Sequence, residues 1–321
     1  MLVELAQRGP AYGGELRSIY LGGGTPSLWR VDCIAKAISA IRARFGSPEE
    51  VTIEVNPTDC TAESLEAWRA AGINRISIGV QSFDGNALVT LGRDHRFGDG
   101  RAALDRVLAA GFEVSADFIL GVPGATAFEL DTRPPHLSIY ELTIEERTAF
   151  GQRVRDGRLV PLPDDDLLDL YVQTDERLAT AGYEHYEISS YARAGHRAVH
   201  NSLYWQGAPY LGLGVGAASL WVGPDGSGVR QTNPRRAADY FAGRAAERSE
   251  IDAREMAIDR AWLGMRTADG ATVSSLNPAR GLVDWLVSEG LAVPRGDRIS
   301  PTLRGFLLAD RIAARIVQSW E

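Results

Sequence analysis

The feature that most constrains the fold is an alternation in the first half of the chain, where short runs rich in β-branched residues are separated by longer stretches with an apolar face. The runs are Ser18–Leu21, Val51–Val55, Arg75–Val80, Glu113–Leu120 and His136–Leu142. Strands that alternate with helices predict a parallel sheet, either open or closed into a barrel. In both arrangements ligands bind at the carboxyl ends of the strands, so the residues at those ends are candidates for function.

The composition narrows the class of protein. The 321 residues carry a net charge of −8, which argues against a general nucleic-acid binder. The sequence contains no apolar run long enough to cross a bilayer and no secretory signal peptide, so a cytoplasmic protein is expected. Its two cysteines, Cys33 and Cys60, cannot build a disulfide framework and are expected to be small buried or half-buried residues.

A glycine-rich turn follows the first predicted strand. Gly22, Gly23 and Gly24 precede Thr25 and Pro26. Glycines let backbone N–H groups come close to a ligand, and proline suits the first turn of a helix. A strand, a glycine turn and a helix N-terminus can hold a small anionic or zwitterionic group, although a tight turn without a ligand fits the same residues.

Polar side chains interrupt the later predicted strands. Glu54, Gln81 and Asp117 lie within three successive strands or at their ends. Parallel strands are normally buried on both faces, and a buried polar group without a partner costs several kcal/mol. Three such residues near a glycine turn favour a polar ligand in the mouth of a barrel over a purely structural network. Arg93 is either a clamp for a carboxylate or an ordinary surface arginine.

Several motifs then resemble one known family. They are Gly22-Gly-Gly-Thr-Pro-Ser27, Glu54, Gly79-Val-Gln-Ser-Phe83, Arg93, Asp117 with Leu120-Gly-Val-Pro-Gly124, His136–Glu145, Gly182–Ser190, His200-Asn-Ser-Leu-Tyr-Trp205 and Tyr210–Ala217. In this order they resemble the radical S-adenosylmethionine (SAM) proteins of the oxygen-independent coproporphyrinogen oxidase group, and the later motifs resemble its HemW-type heme chaperones. The resemblance implies a partial TIM-type (β/α)6 barrel that lacks its first strand, followed by a small C-terminal α+β winged-helix-like domain.

The resemblance also implies ligands and the residues that bind them. The glycine turn would hold the amino group of SAM through Gly23, Gly24 and Thr25, and the other SAM contacts would come from Glu54, Gln81, Arg93 and Asp117. In the HemW-type proteins, which bind heme, the segment that matches His200–Trp205 is linked to that binding. His200 is therefore either an axial heme ligand or a structural histidine. The expected partners are heme, SAM and a membrane protein that accepts heme, and a homodimer stays open.

One part of the family pattern is missing. The family holds a [4Fe–4S] cluster with three cysteines of a Cys-x-x-x-Cys-x-x-Cys loop upstream of the glycine turn, whereas residues 1–17 contain no cysteine. Cys33 and Cys60 are downstream and too far apart to replace that loop. Because thiolates hold such clusters, the chain is expected to lack the cluster and to leave SAM uncleaved. A start site assigned too late or a fragment, a decaying gene, and a genuine cluster-free relative all stay open.

The sequence also predicts a shortened crossover and the domain boundaries. Only residues 125–135 connect the fourth and fifth predicted strands, which is short for a parallel crossover with a helix. The barrel with its extension is assigned to residues 1–225, a linker to 226–250 and the C-terminal domain to 251–321. In that domain helices are predicted over Asp252–Thr267, Leu282–Glu289 and Leu303–Val317, with a hairpin over Leu291–Pro301.

The expected function is therefore that of a HemW-like protein of heme and porphyrin metabolism, which binds and transfers heme without cleaving SAM. Two alternatives stay open. One is an oxygen-independent coproporphyrinogen III oxidase, and the other is a cluster-free protein that binds heme or a partner.

Overall fold

The computed structural model describes residues 1–93, 98–125, 128–276 and 281–320. Two compact units divide the chain. The barrel unit comprises Arg17–Ile38 and Pro48–Ala198, and the second unit comprises Met1–Leu16, Ser39–Ser47 and Val199–Glu321. The helices are α1 (Leu2–Arg8), α2 (Val31–Phe45), α3 (Ala62–Ala70), α4 (Gly85–Thr90), α5 (Asp99–Ala109), α6 (Ala149–Arg155), α7 (Asp164–Thr180), α8 (Val199–Trp205), α9 (Ala237–Phe241), α10 (Ala253–Gly264), α11 (Leu282–Ser288), α12 (Leu303–Leu307) and α13 (Ala309–Ser319).

A seven-stranded sheet forms the barrel unit. Its strands are β1 (Ser18–Leu21), β2 (Glu50–Val55), β3 (Arg75–Gln81), β4 (Glu113–Leu120), β5 (His136–Glu141), β6 (Glu184–Glu187) and β7 (Ser190–Ala192), in the order β1-β2-β3-β4-β5-β7-β6. The first five strands pair in parallel, and β7 and β6 continue the sheet antiparallel. This sheet confirms the partial α/β barrel that the alternating pattern and the family motifs predict.

Side chains of this sheet are polar on one face and apolar on the other, because successive residues of a strand point to opposite faces. The register places one polar row across β2 to β5, made of Glu54, Ser77, Ser115 and His136. The next row holds Val55, Ile78, Ala116 and Leu137, all of them buried. The row after it contains Gly79, Asp117 and Ser138. The sheet therefore gathers the polar residues of separate strands on one surface.

The crossover between β4 and β5 is short, as the sequence predicts. Its residues 128–135 contain no helix, and residues 126–127 lie outside the described part. The two strands still pair over six residues, from Ser115 with His136 to Leu120 with Glu141. The Tyr183 hydroxyl donates to the backbone carbonyls of Thr132 and Pro134. These bonds satisfy backbone carbonyls of a connection whose described residues 128–135 form no helix.

Two three-stranded antiparallel sheets lie in the second unit. Their strands are β8 (Ala218–Val222), β9 (Gly228–Thr232), β10 (Glu247–Ile251), β11 (Ala271–Thr272), β12 (Ala292–Arg295) and β13 (Arg298–Pro301). Residues 226–250, which the sequence predicts as a linker, instead hold β9, α9 and most of β10. The prediction that this segment is an unstructured linker is therefore wrong. Its strands are largely exposed and polar, so the sequence lacks the apolar alternation that predicts a buried strand.

The small C-terminal part agrees with the predicted helices and hairpin except at its end. Strands β12 and β13 form the predicted hairpin around Gly296. The last helix, predicted as continuous over Leu303–Val317, is broken at Leu308 into α12 and α13. Ile312 and Ile316 of α13 are fully buried in a core with Leu286 of α11. The break lets α13 turn its apolar face onto that core.

Helix α1 is fixed by a polar cluster of the second unit. The Arg8 guanidinium donates to Glu4, to Ser219 Oγ and to the carbonyl of Gly212. Glu4 in turn accepts from the Tyr240 hydroxyl and from Asn233. Part of the Tyr210–Ala217 motif therefore serves to bind α1.

Candidate functional site

The glycine turn after β1 leaves open space beside its backbone. Gly23 and Gly24 have φ angles of 83° and 68°, a conformation that side chains rarely adopt, and a Cβ atom on either would meet nothing within 4 Å. A Cβ on Gly22 would lie 2.5 Å from the Tyr20 ring, so only glycine fits there. Pro26 begins a three-residue 3-10 turn rather than an α-helix, so the predicted helix N-terminus is wrong in type, and α2 starts further along.

Glu54 of β2 bonds the backbone of the glycine turn. Its Oε2 atom accepts the N–H of Gly23 at 3.0 Å, and its Oε1 atom accepts the Tyr20 hydroxyl at 2.7 Å. Burial, together with the Glu54 charge, raises the pKa of Tyr20 far above its usual value, so this phenol stays a donor. Glu54 therefore holds the turn in the conformation that keeps its two left-handed glycines open.

Gln81 occupies a strained position at the end of β3. Its φ is 64°, and the pairing of β3 with β4 shifts register between Gly79 and Gln81. A Cβ on Gly79 would lie 2.6 Å from Gln81 Nε2, so the missing side chain makes room for the Gln81 amide. Gly79 pairs with Asp117 across the strands. The bulge thus brings the amide of one strand toward the carboxylate of the next.

Asp117 is the central carboxylate of the polar face. Its Oδ2 atom accepts the Ser77 hydroxyl at 2.8 Å, and its Oδ1 atom lies 3.5 Å from Ser115 Oγ. Desolvation raises the pKa of Asp117 to about 6, hydrogen bonds from the serine hydroxyls oppose the rise, and the charge of Glu54 adds to it. A carboxyl group with such a pKa, between two polar strand ends, is typical of a functional site.

A hydrogen-bonded chain that the sequence did not predict continues from Asp117. Ser115 Oγ lies 2.7 Å from Nδ1 of His136, and Nε2 of that ring lies 2.9 Å from the Tyr186 hydroxyl. The sequence did contain a hint of this chain. Ser77 and Ser115 each lie two residues before a position that faces the site, Gly79 and Asp117 respectively. Serine is compatible with many strands, so only the register between strands shows that these hydroxyls face Asp117.

The remaining residues predicted to bind SAM are Thr25 and Arg93. Thr25 follows the glycine turn directly, and the exposed Arg93 follows α4. The backbone N–H of Arg93 donates to the carbonyl of Leu88, and the described residues provide no ion pair for its guanidinium. The structure therefore brings Gly23, Glu54, Gln81 and Asp117 together and leaves Arg93 on the surface.

His200 lies in the second unit, on α8. It is half-buried, and its ring centroid is 5.8 Å from that of Tyr204. Tyr204 stacks on Tyr210 with 4.4 Å between ring centroids. The segment therefore forms a small aromatic group around the histidine.

The cysteines of this chain do not fit an iron–sulfur cluster. Cys60 is buried and donates to the carbonyl of Asn56, and burial raises the pKa of its thiol to about 12. Cys33 is exposed on α2, contrary to the expected burial. Among the described residues no three histidine, cysteine or acidic side chains are grouped to hold a metal ion. The family cluster needs three thiolates, whereas Cys33 lies on α2 and Cys60 follows the turn Pro57–Asp59.

Comparisons with known proteins agree on one family. The model of the radical SAM superfamily matches residues 1–132. The heme chaperone HemW of Escherichia coli (strain K12) is 38% identical over 251 residues, which cover 74% of this chain and 65% of that protein. HemW of Mycobacterium tuberculosis (strain H37Rv) is 33% identical over 320 residues, which cover 94% of this chain and 81% of the relative. The chain thus spans slightly less than two thirds of the length of the E. coli relative.

A solved structure agrees with the fold. The coproporphyrinogen III oxidase HemN of E. coli, described as a radical SAM enzyme, superposes with a TM-score of 0.78 at 20% identity and covers 98% of this chain and 81% of its own. At that identity the likeness concerns the fold alone. In the part of the chain that the structure describes, no helix is both long and apolar enough to cross a membrane.

Proposed function

The chain belongs to the HemW family of radical SAM proteins, and on that premise we propose that it binds SAM at the carboxyl ends of β1 to β4 and takes part in the handling of heme. The proposal of SAM binding rests on one observation, which is that Glu54, Gln81 and Asp117 lie together beside the open glycine turn. These residues come from separate strands, and a structural network alone does not need a left-handed glutamine at a bulge.

The chemistry of these residues matches the parts of SAM. The backbone of Gly23, Gly24 and Thr25 suits the amino group of the methionine end, and Arg93 suits its carboxylate. Gln81 and Asp117 suit the hydroxyls of the ribose, because an amide and a carboxylate accept hydrogen bonds from a vicinal diol. Glu54 supports this site by holding the turn.

Binding is the step proposed here, because the glycine turn and the polar face supply contacts for SAM. A coproporphyrinogen oxidase activity is not favoured. Six relatives of 31–38% identity are named heme chaperone HemW, and the likeness to the oxidase concerns the fold.

The SAM site is tested by two substitutions and one control. We expect Asp117→Ala and Gln81→Ala each to weaken SAM binding about tenfold or more, since each removes a polar contact from a desolvated site. Isothermal titration calorimetry measures the change. Glu113→Gln is the matched control, because Glu113 lies four residues from Asp117 on the same strand but bonds His196 at the far end. Equal affinity in all four proteins would contradict the assignment.

Heme binding is proposed at His200. The support is the half-buried imidazole beside Tyr204 and the name of the relatives. A neutral imidazole is a common axial ligand of heme iron. We expect added hemin to give a Soret band that shifts or weakens in His200→Ala and stays unchanged in His196→Ala, whose ring instead bonds Glu113. An identical spectrum in both variants would remove His200 from the proposal.

The destination of the heme is also a proposal. We propose that the protein acts in the cytoplasm and passes heme to a membrane protein, since a chaperone of heme must release it to an acceptor. To test this step, the hemin-loaded protein is mixed with solubilised membranes, and the loss of its Soret band measures the transfer of heme. Sedimentation equilibrium with and without hemin tests a homodimer.

A further inference from the structure

A fully buried histidine in the barrel unit has both ring nitrogens engaged and no role in the function proposed above. His136 of β5 is 1% exposed, with Nδ1 at 2.7 Å from Ser115 Oγ and Nε2 at 2.9 Å from the Tyr186 hydroxyl. Burial, helped by the charge of Arg75, lowers the pKa of His136 well below its usual value. The ring is therefore neutral and carries one proton, so one nitrogen donates while the other accepts.

The backbone at the end of the unit determines which nitrogen donates. The N–H of Ala198 donates to the Tyr186 oxygen at 3.2 Å, and an N–H group cannot accept. The Ser190 hydroxyl also bonds that oxygen. With the Ala198 N–H bound to its oxygen, the Tyr186 hydroxyl directs its own proton at His136 Nε2. The proton of the imidazole then lies on Nδ1 and points to Ser115.

The same logic continues to the site carboxylate. Ser115 Oγ accepts from the imidazole and so has its own proton free for Asp117 Oδ1 at 3.5 Å or Ser138 Oγ at 3.4 Å. The charge of a carboxylate favours it as the acceptor. In the opposite assignment Ser115 donates to the ring, and Asp117 loses that donor.

We propose that His136 is a positioning residue which carries its proton on Nδ1 and thereby turns the Ser115 hydroxyl toward the Asp117 carboxylate. Ser77 bonds the other oxygen of that carboxylate and Ser138 also bonds the carboxylate, so the three serines together fix its plane. A carboxylate held in this way is an acceptor, which is what the hydroxyls of a ribose require. The proposal deepens the SAM site, and only its binding test rests on the proposed function.

The tautomer is the first test, and it needs no ligand. Protein labelled with [15N]histidine gives long-range 1H–15N correlations for its five histidines, and the pattern that disappears in His136→Asn belongs to His136. We expect a protonated Nδ1 and an unprotonated Nε2 from pH 5.5 to 8.5. A ring protonated on Nε2, the more common tautomer, would overturn the proposal.

Removal of the phenol hydroxyl is the second test. Tyr186→Phe takes away the donor to Nε2, so we expect the ring to change to the Nε2-protonated form and to accept from Ser115. SAM affinity should then fall about threefold to tenfold, as for the loss of one hydrogen bond. Tyr183→Phe is the matched control, because its hydroxyl bonds the backbone carbonyls of Thr132 and Pro134 and the Arg193 side chain, away from His136. We expect it to change neither tautomer nor affinity.

Ser115→Ala separates positioning from packing. It should weaken SAM binding as much as Tyr186→Phe does, and the double variant should be no weaker than either, because both act through one hydrogen bond. Unchanged affinity in both single variants, with an Nδ1-protonated ring in the parent protein, would refute the positioning role. If the parent protein does not bind SAM at all, the SAM proposal fails. The tautomer measurement still decides the direction of the hydrogen bonds from Tyr186 through His136 to Ser115.

Discussion

At the scale of single residues, the site depends on a carboxylate that burial disfavours. The hydrogen bonds of Asp117 to Ser77, Ser138 and Ser115 do not fully offset its desolvation, since its pKa remains raised to about 6. An acid whose pKa is higher in the folded than in the unfolded protein destabilises the fold once the pH exceeds both values. Asp117 therefore costs stability at neutral pH, which is typical of residues kept for binding.

Asp117→Asn tests this cost. An amide cannot ionise, and it still accepts the Ser77 hydroxyl, so we expect the variant to be more stable than the parent protein at pH 7.5. A rise in pKa from 3.8 to about 6 corresponds to a gain on the order of 2–3 kcal/mol. Near pH 4 the parent carboxyl is protonated in the folded state, so the difference should shrink. Urea unfolding at both pH values measures it, and a difference independent of pH would contradict the expected ionisation.

At the scale of elements, α1 shows how a short helix gains its position from polar contacts. Seven residues are too few for a stable isolated helix. Burial opposes the ionisation of Glu4, but bonds from Tyr240, Asn233, the N–H of Gly214 and Arg8 outweigh it and hold the pKa of Glu4 below its usual value. Such a carboxylate stabilises the fold above its unfolded pKa and loses this effect as the pH falls through the lower, folded value.

Glu4→Ala should therefore release α1. We expect a loss of about 2 kcal/mol in the free energy of unfolding at pH 7, since the variant leaves Arg8 and Asn233 without their carboxylate. Hydrogen exchange of residues 2–8 should accelerate at pH 7. Glu66→Ala, on the exposed side of α3, is the control and should change neither quantity. Unchanged exchange in Glu4→Ala would show that apolar contacts such as those of Leu5 suffice.

At the scale of the whole molecule, the two units have separate cores. Strands β2 to β4 bury Ile53, Ile78 and Val114 in the barrel unit, whereas Leu286, Ile312 and Ile316 belong to a core of the second unit. Ligand contacts proposed for SAM lie in the barrel unit alone. A ligand stabilises the part of the protein that it binds, so its effect need not reach both cores.

Hydrogen exchange with SAM tests this division. At a SAM concentration of 100 times the dissociation constant, the free energy of opening should rise by about 2.7 kcal/mol. We expect slower exchange in β2, β3 and β4 and no change in β12 and β13. Asp117→Ala should remove the protection. Equal protection of both cores would show that the molecule opens as one cooperative body.

The sequence alone was enough to predict the α/β class and, within one residue, the ends of the five parallel strands, since these depend on local periodicity and on turn residues. It also indicated Glu54, Gln81 and Asp117, because a charged or amide side chain within a β-branched run is conspicuous. The break at Leu308 and the strands within 226–250 were not predicted, because exposed strands and short helices carry little periodic signal.

Which hydroxyls bond the Asp117 carboxylate depends on the tertiary structure. Ser77, Ser115, His136 and Tyr186 are ordinary residues in their own segments, and they come from positions up to 109 residues apart, as the numbers of Ser77 and Tyr186 show. Their contacts depend on the register between strands and on the direction of each hydrogen bond. Both are set by the packing of the whole sheet, so no local stretch of sequence contains them.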